Sequence, residues 1–132
     1  MKIVITGANG MLAKSVIKRF EKEELILTDV KELDITDSEA VETFIRNNKP
    51  DVIINCAAYT AVDKAEEALE IARKINADGP KNLAIAAKNN NCILVHISTD
   101  YVFGGNLPLN EVYSEEDPKA PETVYGVTKL EG

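Results

Sequence analysis

The sequence predicts an α/β protein: a Rossmann-like, doubly wound parallel sheet that breaks off shortly after a final helix begins. Three observations carry this reading. Short apolar runs of strand length alternate regularly with longer helical patterns. The runs are nearly all-apolar rather than alternating, as strands covered on both faces tend to be. A glycine-containing turn, "TGANGMLA" (6–13), joins the first run directly to the first helical pattern. Regular β-α-β order implies right-handed crossovers and an open sheet.

The strands are expected at "KIVIT" (2–6), "LILTD" (25–29), "DVIIN" (51–55) and "CILVHIS" (92–98). Between them, "GMLAKSVIKRFEKE" (10–23) and "DSEAVETFIRNN" (37–48) read as helices, as does most of the stretch 63–91. Asp37 is placed to cap the second helix, with an acidic residue in its first turn. "LAIAAKNNN" closes on three asparagines, which suit a helix terminus better than its interior. Beyond residue 98 the regularity stops. Residues 104–122 are rich in Gly, Pro, Asn and acid, and loops of that length are usually functional. A last helix is expected from Thr123.

Composition narrows the function. At 132 residues, with 45% hydrophobic and 28% charged residues, the chain suits one soluble globular domain. The net charge is −7 and Lys and Arg form no cluster, so nucleic acid and anionic membrane surfaces are poor partners. "MKIVITG" runs straight into the glycine turn and does not read as a signal peptide, and no apolar run reaches spanning length. Cys56 and Cys92 lie in apolar runs and read as reduced thiols, so a cytoplasmic location is expected. There is no Cys/His pattern for zinc, and no metal site is expected.

In "TGANGMLA", Gly7 permits a tight turn and Gly10 lets backbone approach a pyrophosphate. Ala13 is small enough for helix and strand to pack closely. The free N–H groups at the helix start suit an anion. Asp29 closes the second strand about 20 residues later, where an acid accepts hydrogen bonds from an adenosine ribose and favours NAD over NADP. Lys31 is near enough to soften that preference. Asp34, in "LDIT" (33–36), suits either an adenine amino group or a turn. Tyr59 and Thr60 follow the third strand, close to the cofactor path.

Ser98, Thr99 and Asp100 lie at the end of the fourth strand, where the ligand crevice of an open α/β sheet is found. Their hydroxyls suit a substrate carbonyl oxygen, although a Ser-Thr-Asp run also makes turns. Tyr125 and Lys129 are one helical turn apart and share a helix face. A phenol is a poor acid at neutral pH, and an ammonium beside it stabilises the phenolate. Tyr125 can then give a proton to a ketone oxygen as hydride reaches its carbon. His96 reads as a satisfied core histidine.

Together "TGANGMLA", "INCAAYTAVDKAE" (54–66), "VHISTDYVFGG" (95–105) and "VYGVTKLEG" (124–132) resemble the dTDP-4-dehydrorhamnose reductase family, within the extended short-chain dehydrogenase/reductases. The resemblance spans the chain. It implies that Gly10, Met11 and Leu12 contact dinucleotide phosphates, with Asp29 by the ribose and Asp34 and Ile35 by the adenine. Ala58, Tyr59 and Thr60 would line the cofactor. Thr99 would bind the 4-keto oxygen, Tyr125 would donate the proton with Lys129 beside it, and Asp100 would border the sugar. The implied reaction reduces dTDP-4-dehydro-L-rhamnose with NADPH or NADH. The family often dimerises, in some members with Mg²⁺, for which this sequence shows no ligands. Its members continue well past the YxxxK pair into a nucleotide-sugar-binding domain, so the chain is expected to be the cofactor half. Two alternatives are a non-catalytic dinucleotide-binding subunit, like the regulatory subunit of methionine adenosyltransferase, and another nucleotide-sugar reductase or epimerase.

Overall fold

A computed structural model describes residues 1–108 and 110–132; Leu109, inside the expected long loop, lies outside the described residues. Four strands, β1 (Lys2–Thr6), β2 (Glu24–Leu27), β3 (Val52–Asn55) and β4 (Ile93–His96), form one parallel sheet in the order β2-β1-β3-β4. The chain leaves β1 toward one edge and returns to place β3 on its other side. The switch point therefore lies between β1 and β3, and a crevice opens beyond their carboxyl ends.

Strand alternation distributes the core between two faces. Val4 and Ile53 point to one side, where they are buried with Val41 and Ile45 of α2 (Ser38–Asn48) and Leu83, Ala86 and Ala87 further along the chain. Ile3, Ile5 and Ile54 point to the other, against Ala13 of α1 (Met11–Arg19). Ala13 is fully buried, so the close helix–strand approach expected from its size is realised. Each fully buried isoleucine or valine contributes on the order of 1.5–3 kcal/mol.

Asp37 caps α2 as expected, its carboxylate accepting from the backbone N–H groups of Glu39 and Ala40, both at 3.0 Å. Asp37→Ala will lower the unfolding free energy by about 1 kcal/mol, measurable by urea denaturation with an unchanged m-value. At the other end Lys49 adopts a left-handed conformation, φ 48°.

The second strand, expected over 25–29, ends at Leu27, so Asp29 lies in the loop just beyond it. Two further expectations change in detail. The long helical stretch is divided into α3 (Val62–Ala65), α4 (Leu69–Arg73), a π-helical turn (Lys74–Asp78) and α5 (Gly79–Asn89). Pro80 explains the π turn: it has no N–H for the carbonyl of Asn76, and its ring would strike that carbonyl in a regular α-helix. The fourth strand pairs only over Ile93–His96, and its outer residues Ile93 and Val95 are 64% and 42% exposed. Register explains this. Ile93 and Val95 share the face of Val52 and Ile54, but α1 covers that face over β1 and does not reach the edge.

The last helix, α6 (Val124–Glu131), is fastened at several points. Thr123 Oγ accepts from Gly126 N–H at 3.0 Å, and Glu66 accepts from Val124 N–H at 2.9 Å. Arg73 pairs with Glu131 through two N–H donors at 2.8 and 2.9 Å. A 3₁₀ turn (Asp100–Val102) packs alongside, so close that a Cβ at Gly126 would lie 2.3 Å from the Tyr101 carbonyl oxygen.

Candidate active site

The turn after β1 is built around Gly7, with φ +61°. A Cβ there would lie 2.7 Å from both Cα and N of Ala57, so glycine alone lets the β1 turn and the end of β3 meet. Gly10 N–H closes the turn on the Gly7 carbonyl at 2.9 Å. Gly10 is then the N-cap of α1 and supplies no side-chain cap, leaving first-turn N–H groups available to an anion. Asp29 ties the turns after β1 and β2 together. One carboxylate oxygen accepts from Asn9 N–H at 3.1 Å and the other from Val30 N–H at 2.8 Å.

These elements surround a cavity of about 550 Å³ beyond the carboxyl ends of β1 and β3. Gly7, Gly10, Met11 and Leu12 form one wall, and Asp29, Asp34 and Ile35 form another. Ala58 and Thr60 follow β3, while Tyr125 and Lys129 close the far end. Met11 is 89% exposed, an apolar side chain at the rim. Asp34 lines the cavity and is also a turn acid, accepting from the Thr36 N–H and hydroxyl at 2.9 and 2.8 Å. Lys31 is exposed and is not part of the lining.

Three of the expected site residues lie elsewhere. Ser98, not Thr99, reaches the main cavity. Thr99 caps the 3₁₀ turn, accepting from Tyr101 N–H at 3.3 Å and donating to Asp100 at 3.1 Å. Asp100 borders a second cavity of about 290 Å³ with Tyr101, Phe103, Tyr113 and Glu122. Tyr59 holds the post-β3 loop through its backbone and does not line the main cavity.

The Tyr125 ring meets Tyr101 edge to face, with centroids 5.4 Å apart and planes at 76°. Lys129 is only 4% exposed. Its amine donates to the Ile97 carbonyl at 2.5 Å and lies 3.4 Å from His96 Nε2. Burial pushes the Lys129 amine below the ordinary lysine range. His96 is half-buried and lowered to about 4, first by burial and then by the Lys129 charge. It is therefore neutral at physiological pH.

Asn76 is a site-bridging residue that the sequence pattern does not reveal. It is fully buried in the π turn, and its side chain bridges two parts of the site. Its carbonyl accepts from Tyr59 N–H at 2.8 Å, while its amide donates to the Tyr59 carbonyl at 3.2 Å and to Thr128 Oγ1 at 3.1 Å. It thus locks the loop after β3 to the helix bearing Tyr125 and Lys129. The available signal was Gly79-Pro80 inside a helical pattern, which marks a distorted turn.

The sequence model of the RmlD substrate binding domain family matches residues 1–132. The chain belongs to that family. Among RmlD-family relatives, the dTDP-4-dehydrorhamnose reductase of Mycolicibacterium smegmatis is 46% identical over 134 residues, covering 99% of this chain and 40% of its own length. A crystal structure of a dTDP-4-dehydrorhamnose reductase from Clostridium acetobutylicum superposes with a TM-score of 0.95 at 53% identity, over 99% of this chain and 47% of that one. The Bacillus anthracis reductase, solved in complex with NADP, gives a TM-score of 0.93 at 42% identity, over 98% and 46%. The RmlD-family chain described here therefore spans less than half the length of these relatives. A UDP-glucose 4-epimerase from Thermus thermophilus shares the fold at 23% identity, with a TM-score of 0.88.

Among the described residues, no helix is long and apolar enough to cross a membrane, and no three His, Cys, Asp or Glu side chains are grouped to hold a metal ion. Cys56 and Cys92 are free thiols, both raised by burial.

Proposed function

We propose that these residues are the dinucleotide-binding and proton-donating part of an NAD(P)H-dependent reductase acting on the C4 ketone of dTDP-4-dehydro-L-rhamnose. One observation carries the reading: Tyr125 and Lys129 share a cavity with a Gly7–Gly10 anion turn and the strand-end acid Asp29. The cavity suits a dinucleotide, since Gly7 and Gly10 line it without side chains beside the start of α1, which has no side-chain cap.

On this reading Gly10, Met11 and Leu12 hold the phosphates, Asp29 accepts from the adenosine ribose, and Asp34 and Ile35 border the adenine. Ala58, Tyr59 and Thr60 form the loop beside the rest of the cofactor, and Asn76 fixes that loop. A bound reduced nicotinamide supplies the hydride. Tyr125 gives its proton to the ketone oxygen, and positive charge at Lys129 stabilises the phenolate that remains. Asp100 borders the sugar from the second cavity, with Thr99 beside it as the cap of the 3₁₀ turn. Further nucleotide-sugar recognition is assigned to sequence of the kind the relatives carry beyond the matched region. A cytoplasmic homodimer is the accompanying expectation.

The test is to titrate the chain with NADPH and NADH, then assay reduction of dTDP-4-dehydro-L-rhamnose by the protein that carries these residues at its relatives' length. Dinucleotide binding with turnover supports the proposal. Binding without turnover of that ketone or a related one would favour the non-catalytic dinucleotide-binding reading instead. Asp29 also makes a specificity prediction. Removing its charge in Asp29→Asn keeps one acceptor for Asn9 N–H but ends repulsion of a 2′-phosphate. The affinity ratio will move toward NADPH by roughly five- to tenfold, the scale of one like-charge contact worth about 1 kcal/mol in water. Parallel titrations with the two cofactors measure it.

A further inference from the structure

The only histidine of the chain sits between the Asn55 amide and the Lys129 amine, and the hydrogen-bond role of the first is fixed. The Asn55 side-chain oxygen accepts from Ala57 N–H at 3.1 Å and from the Thr6 hydroxyl at 2.5 Å. A backbone N–H can only donate, so the amide of Asn55 cannot be turned round without setting donor against donor. Its NH₂ group is thereby directed at His96 Nδ1, 3.0 Å away. That nitrogen has to accept, which leaves the imidazole proton on Nε2. Nε2 is the atom 3.4 Å from the Lys129 amine.

We propose that His96 is a positioning residue for Lys129, held by Asn55 as the Nε2–H tautomer so that it presents a donor to the lysine amine. An ammonium at Lys129 would face that donor with a second one. A neutral amine can accept from Nε2–H and still donate to the Ile97 carbonyl. The network therefore weakens the hold of Lys129 on its proton, in the same direction as its burial. Other charged groups near α6 are engaged elsewhere: Glu66 at Val124 N–H, Arg73 at Glu131, and Asp100 with the Thr99 hydroxyl. Tyr125 lies one turn earlier on the same helix, and no carboxylate pairs with Lys129 among the described residues.

The functional consequence rests on the reductase reading: His96 and Asn55 would set the pH above which Lys129 ceases to stabilise the Tyr125 phenolate. The tautomer itself is independent of any activity. It is read directly by ¹⁵N–¹H correlation of the imidazole in ¹⁵N-labelled chain, where a single histidine leaves no ambiguity. The expected spectrum shows a protonated Nε2 and an unprotonated Nδ1, unchanged from pH 8 to about pH 5. A protonated Nδ1 in the wild-type chain overturns the proposal.

Two variants extend the test. In Asn55→Asp a carboxylate keeps the bonds to Ala57 N–H and Thr6 and accepts from His96, so the proton moves to Nδ1. If the variant folds by its amide spectrum yet keeps the Nε2–H tautomer, Asn55 does not set the tautomer and the proposal fails. In His96→Phe the donor facing Lys129 is removed while the position stays apolar. The Lys129 midpoint, followed by its ¹³Cε shift and identified by its absence in Lys129→Met, will rise by on the order of one pH unit. An unchanged midpoint would mean that burial alone governs Lys129 and would overturn the positioning role.

Discussion

Tyr125→Phe will reduce the rate of ketone reduction by roughly 10²- to 10⁴-fold, the usual loss when a positioned proton donor is removed. Dinucleotide affinity and stability will be nearly unchanged. The reason lies in what the hydroxyl does and does not touch. The phenyl ring remains to pack edge to face on Tyr101, and the backbone of α6 keeps its fastenings to Thr123, Glu66 and Arg73. The oxygen alone is lost from the cavity wall that Tyr125 shares with Lys129. Single-turnover rates beside equilibrium cofactor titrations separate the two effects. A loss of cofactor affinity as large as the loss of rate would assign Tyr125 to binding instead of chemistry.

Gly7→Ala will have the largest structural effect. Alanine at φ +61° costs about 1–2 kcal/mol on conformation alone. Its Cβ would also press on the Ala57 backbone at 2.7 Å, where no side chain can swing aside. Relief requires the β1 turn or the end of β3 to move, adding about 1–3 kcal/mol by analogy with overpacked cores. A total of roughly 2–5 kcal/mol is a large share of the 5–15 kcal/mol that holds a domain together. Thermal unfolding will shift to markedly lower temperature. Whatever remains folded will bind dinucleotide at least tenfold more weakly, because the same movement opens the anion turn. An unaltered melting temperature would show that the turn is free to relax without loss.

The contrast between these two positions shows what could be read directly from the residues. Gly7 announces itself, because a glycine between an apolar strand and an amphipathic helix has few other uses. Asp37 is equally local: an acid before a helical pattern caps it whatever the rest of the chain does. Tyr125 and Lys129 share a helix face by spacing alone, although their place in the cavity depends on α6 docking against the π turn and the 3₁₀ turn. Asp34 stood between two readings; the structure makes it a turn acid that also borders the cavity.

Thr99 and Tyr59 were less legible. Side chains after a strand point wherever the following turn sends them, and the 3₁₀ turn spends the Thr99 hydroxyl on its own cap. Asn76 was hidden for a different reason. Its partners, Tyr59 and Thr128, are distant in sequence, and its exposure of the correct face depends on a π turn that regular helical periodicity does not anticipate.

By itself, then, the sequence determined the alternating α/β order, the parallel sheet, the glycine turn, the strand-end acid and the Tyr–Lys pair. Those features rest on local sterics and periodicity, which act over a few residues. Tertiary structure alone decided that Ser98 and not Thr99 faces the main cavity, that Asn76 locks loop to helix, and that His96 lies against Lys129. Each of these depends on hydrogen bonds between segments far apart in the chain, whose directions are fixed only when the sheet and its helices have packed.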